Sequence, residues 1–317
     1  MKSLNTYVIE GLADWSDDKL DKKISQQTTK SAIKKEIIDW LKNNVKLIQE
    51  NKLNFDFNTT PITVDYDDNI GFKDNITSLT NGTFQWGEVG GYFDCSYCQK
   101  LKTLEGAPKK VGSDFRCRDC KSLTSLEGSP MEVGGNFHCG VCKSLISLEG
   151  APKEIRGDFS CCDCYSLKSL EGAPKEVGGN FWCNDCKLLT SLEGAPNKVG
   201  GNFWCSSCPS LKTLEGGPKE VGISFICNSC DLLESLKGAP NKVGKNINCH
   251  GCKSLRSLKG APNEVGKSFD CSYCKSLKTL EGAPKKVGGD FWCDYCGLTF
   301  AIKDVKQICK VKGKIYY

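Results

Sequence analysis

Ten C-x-x-C pairs, spaced 22 residues apart without an insertion, hold twenty of the 22 cysteines in this 317-residue chain. The leading cysteines fall at Cys95, Cys117, Cys139, Cys161, Cys183, Cys205, Cys227, Cys249, Cys271 and Cys293. The trailing ones fall at Cys98, Cys120, Cys142, Cys164, Cys186, Cys208, Cys230, Cys252, Cys274 and Cys296. Three chemistries use thiols at such spacings. Neighbouring pairs give C-x2-C-x18-C-x2-C, within the range of structural zinc sites. Strands stacked about 4.8 Å apart also bring thiols within disulfide reach. The third is a ladder of buried thiols bonded to backbone groups, since Cys is among the residue types most often buried outright. Zinc would close the pairs into fours, yet nothing in the repeat marks where one group would end. Every leading cysteine instead follows an apolar residue by two positions, aromatic in every repeat but that of Ile247. The unbroken column favours a structural ladder of the ten trailing cysteines, with no metal and no cofactor.

Cys162 and Cys309 stand outside the pattern. Cys162 follows Cys161 at an outward position and is the thiol expected to be exposed. A nucleophilic role needs a base, and the chain has only His138 and His250, both at outward positions in other repeats. No catalytic constellation is evident elsewhere, so the chain is expected not to be an enzyme.

The elements that position these thiols follow from the repeat itself. Its consensus is P-x-x-V-G-G-x-F-x-C-x-x-C-x-S-L-x-S-L-E-G-A, clearest in Pro174 to Ala195 and Pro196 to Gly217. A fixed period of this length predicts one coil per repeat, stacked into a solenoid. The F-x-C step has strand alternation, so Phe181 and Cys183 point inward while Trp182 and Asn184 point outward. Leu189 and Leu192 follow on the return arm, and Gly194 with Pro196 turns the chain back. Gly178 and Gly179 supply the backbone freedom to re-enter the next strand.

This order resembles the leucine-rich repeat, L-x-x-L-x-L-x-x-N/C-x-L. Phe and the leading Cys take the two inward strand positions, and the trailing Cys takes the Asn/Cys position. The S-L-x-S-L-E-G-A-P return is similar to that of compact bacterial effector-type repeats, with one extra residue on each side of the strand. P-x-x-V and C-x-S-L-x-S-L are also shared with BspA-like repeats. The resemblance implies a mainly β leucine-rich-repeat solenoid, one short strand per coil, with a small α-helical/β cap at its amino-terminal end. It implies a binding surface on the concave sheet, made of outward strand residues. The mid-strand column reads Asp94, Arg116, His138, Ser160, Trp182, Trp204, Ile226, Asn248, Asp270 and Trp292. Neighbouring outward columns add Tyr97, Asn184, Ser206, Asn228, Tyr273 and Tyr295. Adjacent tryptophans and an isoleucine with polar flanks look like an anchor cluster with a rim, the anatomy of a protein-binding site. Cross-strand aromatic stacking for stability alone is the competing reading.

A solenoid needs both ends covered. Residues 53–89 read as a cap: Phe55, Phe57, Ile62, Val64 and Tyr66 suggest strands, and Ile76, Leu79 and Gly82 a degenerate repeat. Residues 1–52 hold an amphipathic helix expected from Ser31 to Leu53 (Ile33, Ile37, Leu41, Val45, Ile48), capped by Thr28, Thr29 or Ser31. The ten-repeat array is assigned to 90–296. Within 297–317, Val311 and Ile315 alternate with Lys310, Lys312 and Lys314, which reads as a basic closing strand.

The formal net charge is +5, but residues 1–89 carry 11 Lys against 14 Asp and Glu. In the repeats, lysines alternate with the glutamates of L-E-G, which reads as a solvated face and makes nucleic acid an improbable partner. No stretch approaches membrane-spanning length, and no secretory signal is evident. Met1 to Gly11 (M-K-S-L-N-T-Y-V-I-E-G) resembles the capsid-targeting segment of internal head proteins in T4-like tailed phages, M-K-[ST]-x-x-x-[FY]-[IV]-x-E-[AGS]. That resemblance implies cleavage between Glu10 and Gly11, a phage or prophage origin, and a place in the host cytoplasm or the virion.

Overall fold

The structure, a computed structural model, describes residues 17–297 and 300–317. The segment resembling a capsid-targeting signal, with its Glu10–Gly11 cleavage point, lies outside the described residues. Each 22-residue unit forms one coil of a mainly β parallel solenoid. A coil carries two strands of two residues each, as in Glu176–Val177 and Phe181–Trp182. The phenylalanine strands pair in register, Phe181 with Phe203 and Trp182 with Trp204, and build one 12-stranded sheet. The valine strands build a second parallel array, a pairing the reading of one strand per coil did not contain.

The interior explains why the repeat tolerates no insertion. Val177, Phe181, Cys183, Cys186, Leu189 and Leu192 are all buried, as are their counterparts in the neighbouring coils. Like stacks on like. Phenylalanine rings from Phe93 to Phe225 lie parallel with centroids 5.1 to 5.6 Å apart. Burying each such side chain contributes about 1.5–3 kcal/mol. One hydrophobic cluster runs from Ile37 to Cys309.

Close stacking also dictates the glycine after each valine. A Cβ added to Gly112, Gly134, Gly200, Gly222, Gly244, Gly266 or Gly288 would lie 2.0 to 2.2 Å from the carbonyl oxygen of the same glycine one coil back. The fourth coil has Arg156 in this column. At that coil the valine sheet divides into five and eight strands, and Glu132–Val133 does not pair with Glu154–Ile155. Gly134 N–H donates to the Val111 carbonyl at 2.9 Å and Gly178 N–H to Ile155 at 2.8 Å, but Arg156 N–H makes no such bond to Val133. Charge does not account for the break: opposite signs meet in most pairs of the outer column, as in Lys110 on Glu132 and Glu176 on Lys198, but Glu154 pairs in register with Glu176 despite the like charge. A groove of about 830 Å³ marks this seam, with Met131 73% exposed on its rim. The phenylalanine sheet crosses the seam unbroken, Phe137 on Phe159. Lys312 also occupies the glycine column yet keeps its pairing, its N–H donating to the Val287 carbonyl at 3.0 Å.

Both ends are covered. Helix α1 spans Asp17–Asn44 rather than Ser31 to Leu53. Residues 22–32 are all solvent-exposed and mostly polar, so apolar periodicity could not report this stretch. Ile37, Leu41 and then Val45 bury against the first coil, and Trp40 packs edge-on against Phe72 and Phe84. Thr28 and Thr29 lie inside the helix, donating to the carbonyls of Ile24 and Ser25 instead of capping. Lys73 Nζ closes the other end on the carbonyls of Lys42 and Asn43. Strands β1 (Leu53–Asp56) and β2 (Ile62–Tyr66) form an antiparallel hairpin, and β2 starts the valine sheet against Phe84–Val89. At the far end helix α2 (Ile302–Ile308), absent from the sequence reading, buries Val305. Lys310–Val311 and Ile315–Tyr316 then extend the two sheets.

Candidate functional site

The thiols come first because they define the coil. Each trailing cysteine donates its thiol to the carbonyl of the leading cysteine one coil back, from Cys120 on Cys95 to Cys296 on Cys271, at 3.1 to 3.4 Å. Cys98 starts the series on the Lys73 carbonyl at 3.6 Å. All 22 cysteines are free thiols. Burial raises Cys117, Cys139, Cys161, Cys183, Cys205, Cys227 and Cys271 well above the ordinary thiol range and pushes Cys293 up to about 12. A protonated thiol can donate a hydrogen bond but is a poor nucleophile and metal ligand. Cys162 is half-buried, accepts from the Ser160 hydroxyl at 3.4 Å, and is likewise raised by burial. Among the described residues no group of three or more His, Cys, Asp and Glu side chains is arranged to hold a metal ion.

A second ladder went unread in the sequence. From Asp114 to Asp290, the residue before each inward Phe or Ile accepts, through its side chain, the N–H of its counterpart one coil on. Asn136 donates in this way to Asp114, Asp158 to Asn136, Asn180 to Asp158 and Asn202 to Asn180, at 2.6 to 2.9 Å. The signal was present as Asp, Asn or Ser in that position from Asp114 to Asp290, short side chains whose oxygen can reach a neighbouring backbone. Between the two cysteines the chain turns through a left-handed residue in each of the ten cysteine-bearing coils. Asp119, Asp163, Asp185, Ser207 and Ser229 have φ of 53° to 58°, and Val141 and Tyr97 have 66°. Tyr273 and Tyr295 occupy this turn too, beside the sheet rather than in a strand.

The outward face of the phenylalanine sheet is therefore held by an Asx ladder on one side and the C-x-x-C turn on the other. On it Trp182 and Trp204 stack with ring centroids 5.4 Å apart and planes 10° from parallel, both half-buried. Ile226 pairs directly with Trp204, and Ser160, itself buried, pairs with Trp182. Trp292 lies three coils beyond Ile226 and stacks on Tyr316 instead, at 3.5 Å and 6°. His250, Tyr273 and Tyr295 form a side row with centroids 5.0 and 4.6 Å apart, Tyr295 being 70% exposed. Between Ile226 and Trp292, over Asn248 and Asp270, lies a depression of about 220 Å³. Toward the other end Asp94 accepts the Ser96 N–H, and Arg116 pairs with Asp114 at 2.6 Å and covers the Tyr92 ring. His138 follows, and burial lowers its pKa below the ordinary histidine value.

The fold and this face define a solenoid repeat protein with a cysteine pair in every coil. No family model, curated protein or solved structure matches the chain. No helix among the described residues is long and apolar enough to cross a membrane.

Proposed function

We propose that the protein is a leucine-rich-repeat-type binding module, without catalytic activity, that captures a protein partner on the face carrying Trp182, Trp204 and Ile226. The observation that carries this reading is the parallel indole stack, half-exposed on a sheet whose other outward residues are mostly polar or charged. Large aromatic side chains beside an aliphatic one, with polar neighbours, are the composition of interface hot spots. The S-L-E-G-A-P repeats and the M-K-S-L-N-T-Y-V-I-E-G start support a phage or prophage origin, with a host protein as partner. The test is capture from host lysate by the wild type against Trp182→Ser with Trp204→Ser. A hot spot contributing about 2 kcal/mol predicts roughly 30-fold weaker capture, and intact capture by the double variant refutes the site. A second reading, a stiff virion-associated spacer, draws support from the single core that runs from Ile37 to Cys309. A Gly11 amino terminus on protein from purified virions would support packaging, and an intact Met1 end would refute it.

A further inference from the structure

The depression between Ile226 and Trp292 has a composition that selects its occupant. It spans the two coils whose mid-strand residues are the short Asn248 and Asp270, and its side wall is Ser224, Asn246 and Ser268. The wall residues are committed to the Asx ladder: Ser224 accepts from Asn246, Asn246 from Ser268, and Ser268 from Asp290. Asn248 Oδ1 accepts the His250 N–H. Asp270 Oδ1 accepts both the N–H and the hydroxyl of Ser272, at 3.0 and 2.6 Å, which leaves Oδ2 as the available acceptor. Asp270 makes no ion pair among the described residues, although Lys245 and Lys267 precede the wall residues Asn246 and Ser268. Tyr316 covers one face of the Trp292 indole and fixes the ring, so its other face is turned toward the coil of Asp270.

We infer that this depression takes one arginine side chain of the partner protein, with the guanidinium stacked on the free face of Trp292 and paired with Asp270 Oδ2. An indole face is the best aromatic surface for a cation, and arginine is the cation that both stacks and forms directed bonds to a carboxylate. A volume of about 220 Å³ suits a single long side chain and is too small for a folded element. The aliphatic wall of Ile226 faces the stem of that side chain. This inference rests on the reading of the outward face as a capture surface and names the chemistry of one contact on it.

The test needs no knowledge of the partner. The probe is Nα-acetyl-arginine amide, titrated into the full chain at constant ionic strength, with the tryptophan indole N–H signals followed by nuclear magnetic resonance. The Trp292 signal, assigned by its loss in Trp292→Leu, is expected to shift with saturation at millimolar probe. The Trp182 and Trp204 signals are expected to stay in place. The corresponding lysine and norleucine amides are expected to bind at least fivefold more weakly. Asp270→Asn keeps the acceptor for Ser272 while removing the charge, and is expected to weaken arginine binding at least fivefold with an unchanged far-ultraviolet spectrum. Equal binding of norleucine or lysine amide, or full binding by Asp270→Asn, would overturn the assignment. Failure here with loss of capture in the Trp182/Trp204 variant would leave the capture surface standing and remove only its arginine contact. Success here with intact capture by that variant would do the reverse.

Discussion

Mild alkali should unfold this protein. Eight leading thiols (Cys117, Cys139, Cys161, Cys183, Cys205, Cys227, Cys271 and Cys293) are raised chiefly by burial, the last to about 12. In the unfolded chain each would ionise near about 8.5. The native state thus holds protons that the unfolded state releases, and unfolding becomes easier as pH rises. Below about pH 8.5 both states are protonated and the stability is whole; between there and about 12 it is lost progressively. At about pH 9.5 each thiol favours the unfolded chain by about 1.4 kcal/mol, so eight give about 11 kcal/mol. Native domains have about 5–15 kcal/mol in all. The assay is the urea midpoint by circular dichroism from about pH 7 to 10, under reductant, approached from folded and unfolded protein alike. The midpoint should be flat to about pH 8.5 and then fall steeply. Replacing Cys161, Cys183, Cys205 and Cys227 by Ala removes four of the thiols raised by burial and should make the slope above that point shallower. A midpoint unchanged between about pH 7.5 and 9.5 would refute buried free thiols as the interior of this solenoid.

Three other perturbations follow from the stacking. Arg156→Gly removes the side chain from the glycine column at the seam; two recovered inter-coil hydrogen bonds should add about 2 kcal/mol, read as a higher melting temperature and slowed amide exchange at Lys153. Val141 is a β-branched residue held at φ 66°, and Val141→Gly should stabilise by about 1 kcal/mol in urea unfolding, where a lower midpoint would refute strain at that turn. Asn180→Ala leaves the N–H of Asn202 without its acceptor and should cost about 1–3 kcal/mol, while Asn180→Ser should cost less because Ser224 performs the same task for Asn246.

The inward half of each coil was legible because burial and stacking allow few choices there. Phe181 and Cys183 alternate with Trp182 and Asn184, and identical residues recur every 22 positions wherever a side chain meets its own copy. The left-handed turn was written in Asp119, Asp163, Asp185, Ser207 and Gly251, but Tyr97, Tyr273 and Tyr295 in the same column read as strand residues. The Asx ladder escaped because its members differ in type while sharing one function, an oxygen within reach of the next coil. The seam at Arg156 escaped because a single change in a glycine column has meaning only once the carbonyl beneath it is known. Helix α1 was placed too late in the chain, since the exposed residues 22–32 carry no apolar stripe to mark it.

The two outward columns differ in a way that separates structure from function. On the valine sheet the outer residue is Glu or Lys in every coil, and opposite signs meet in most pairs, with Lys286 on Glu264 at 2.8 Å. Sheet pairing alone explains such a column, because alternating charges attract and like charges repel at that spacing. The mid-strand column of the phenylalanine sheet obeys no such rule. It holds seven residue types in ten coils, sets Trp204 on Ile226 and Asn248 on Asp270, and leaves Asp270 without a cation. A spacer would need nothing more there than the alternation already used on the other sheet. Partly exposed indoles and an unpaired carboxylate on that backbone are the groups through which the proposed partner would be held.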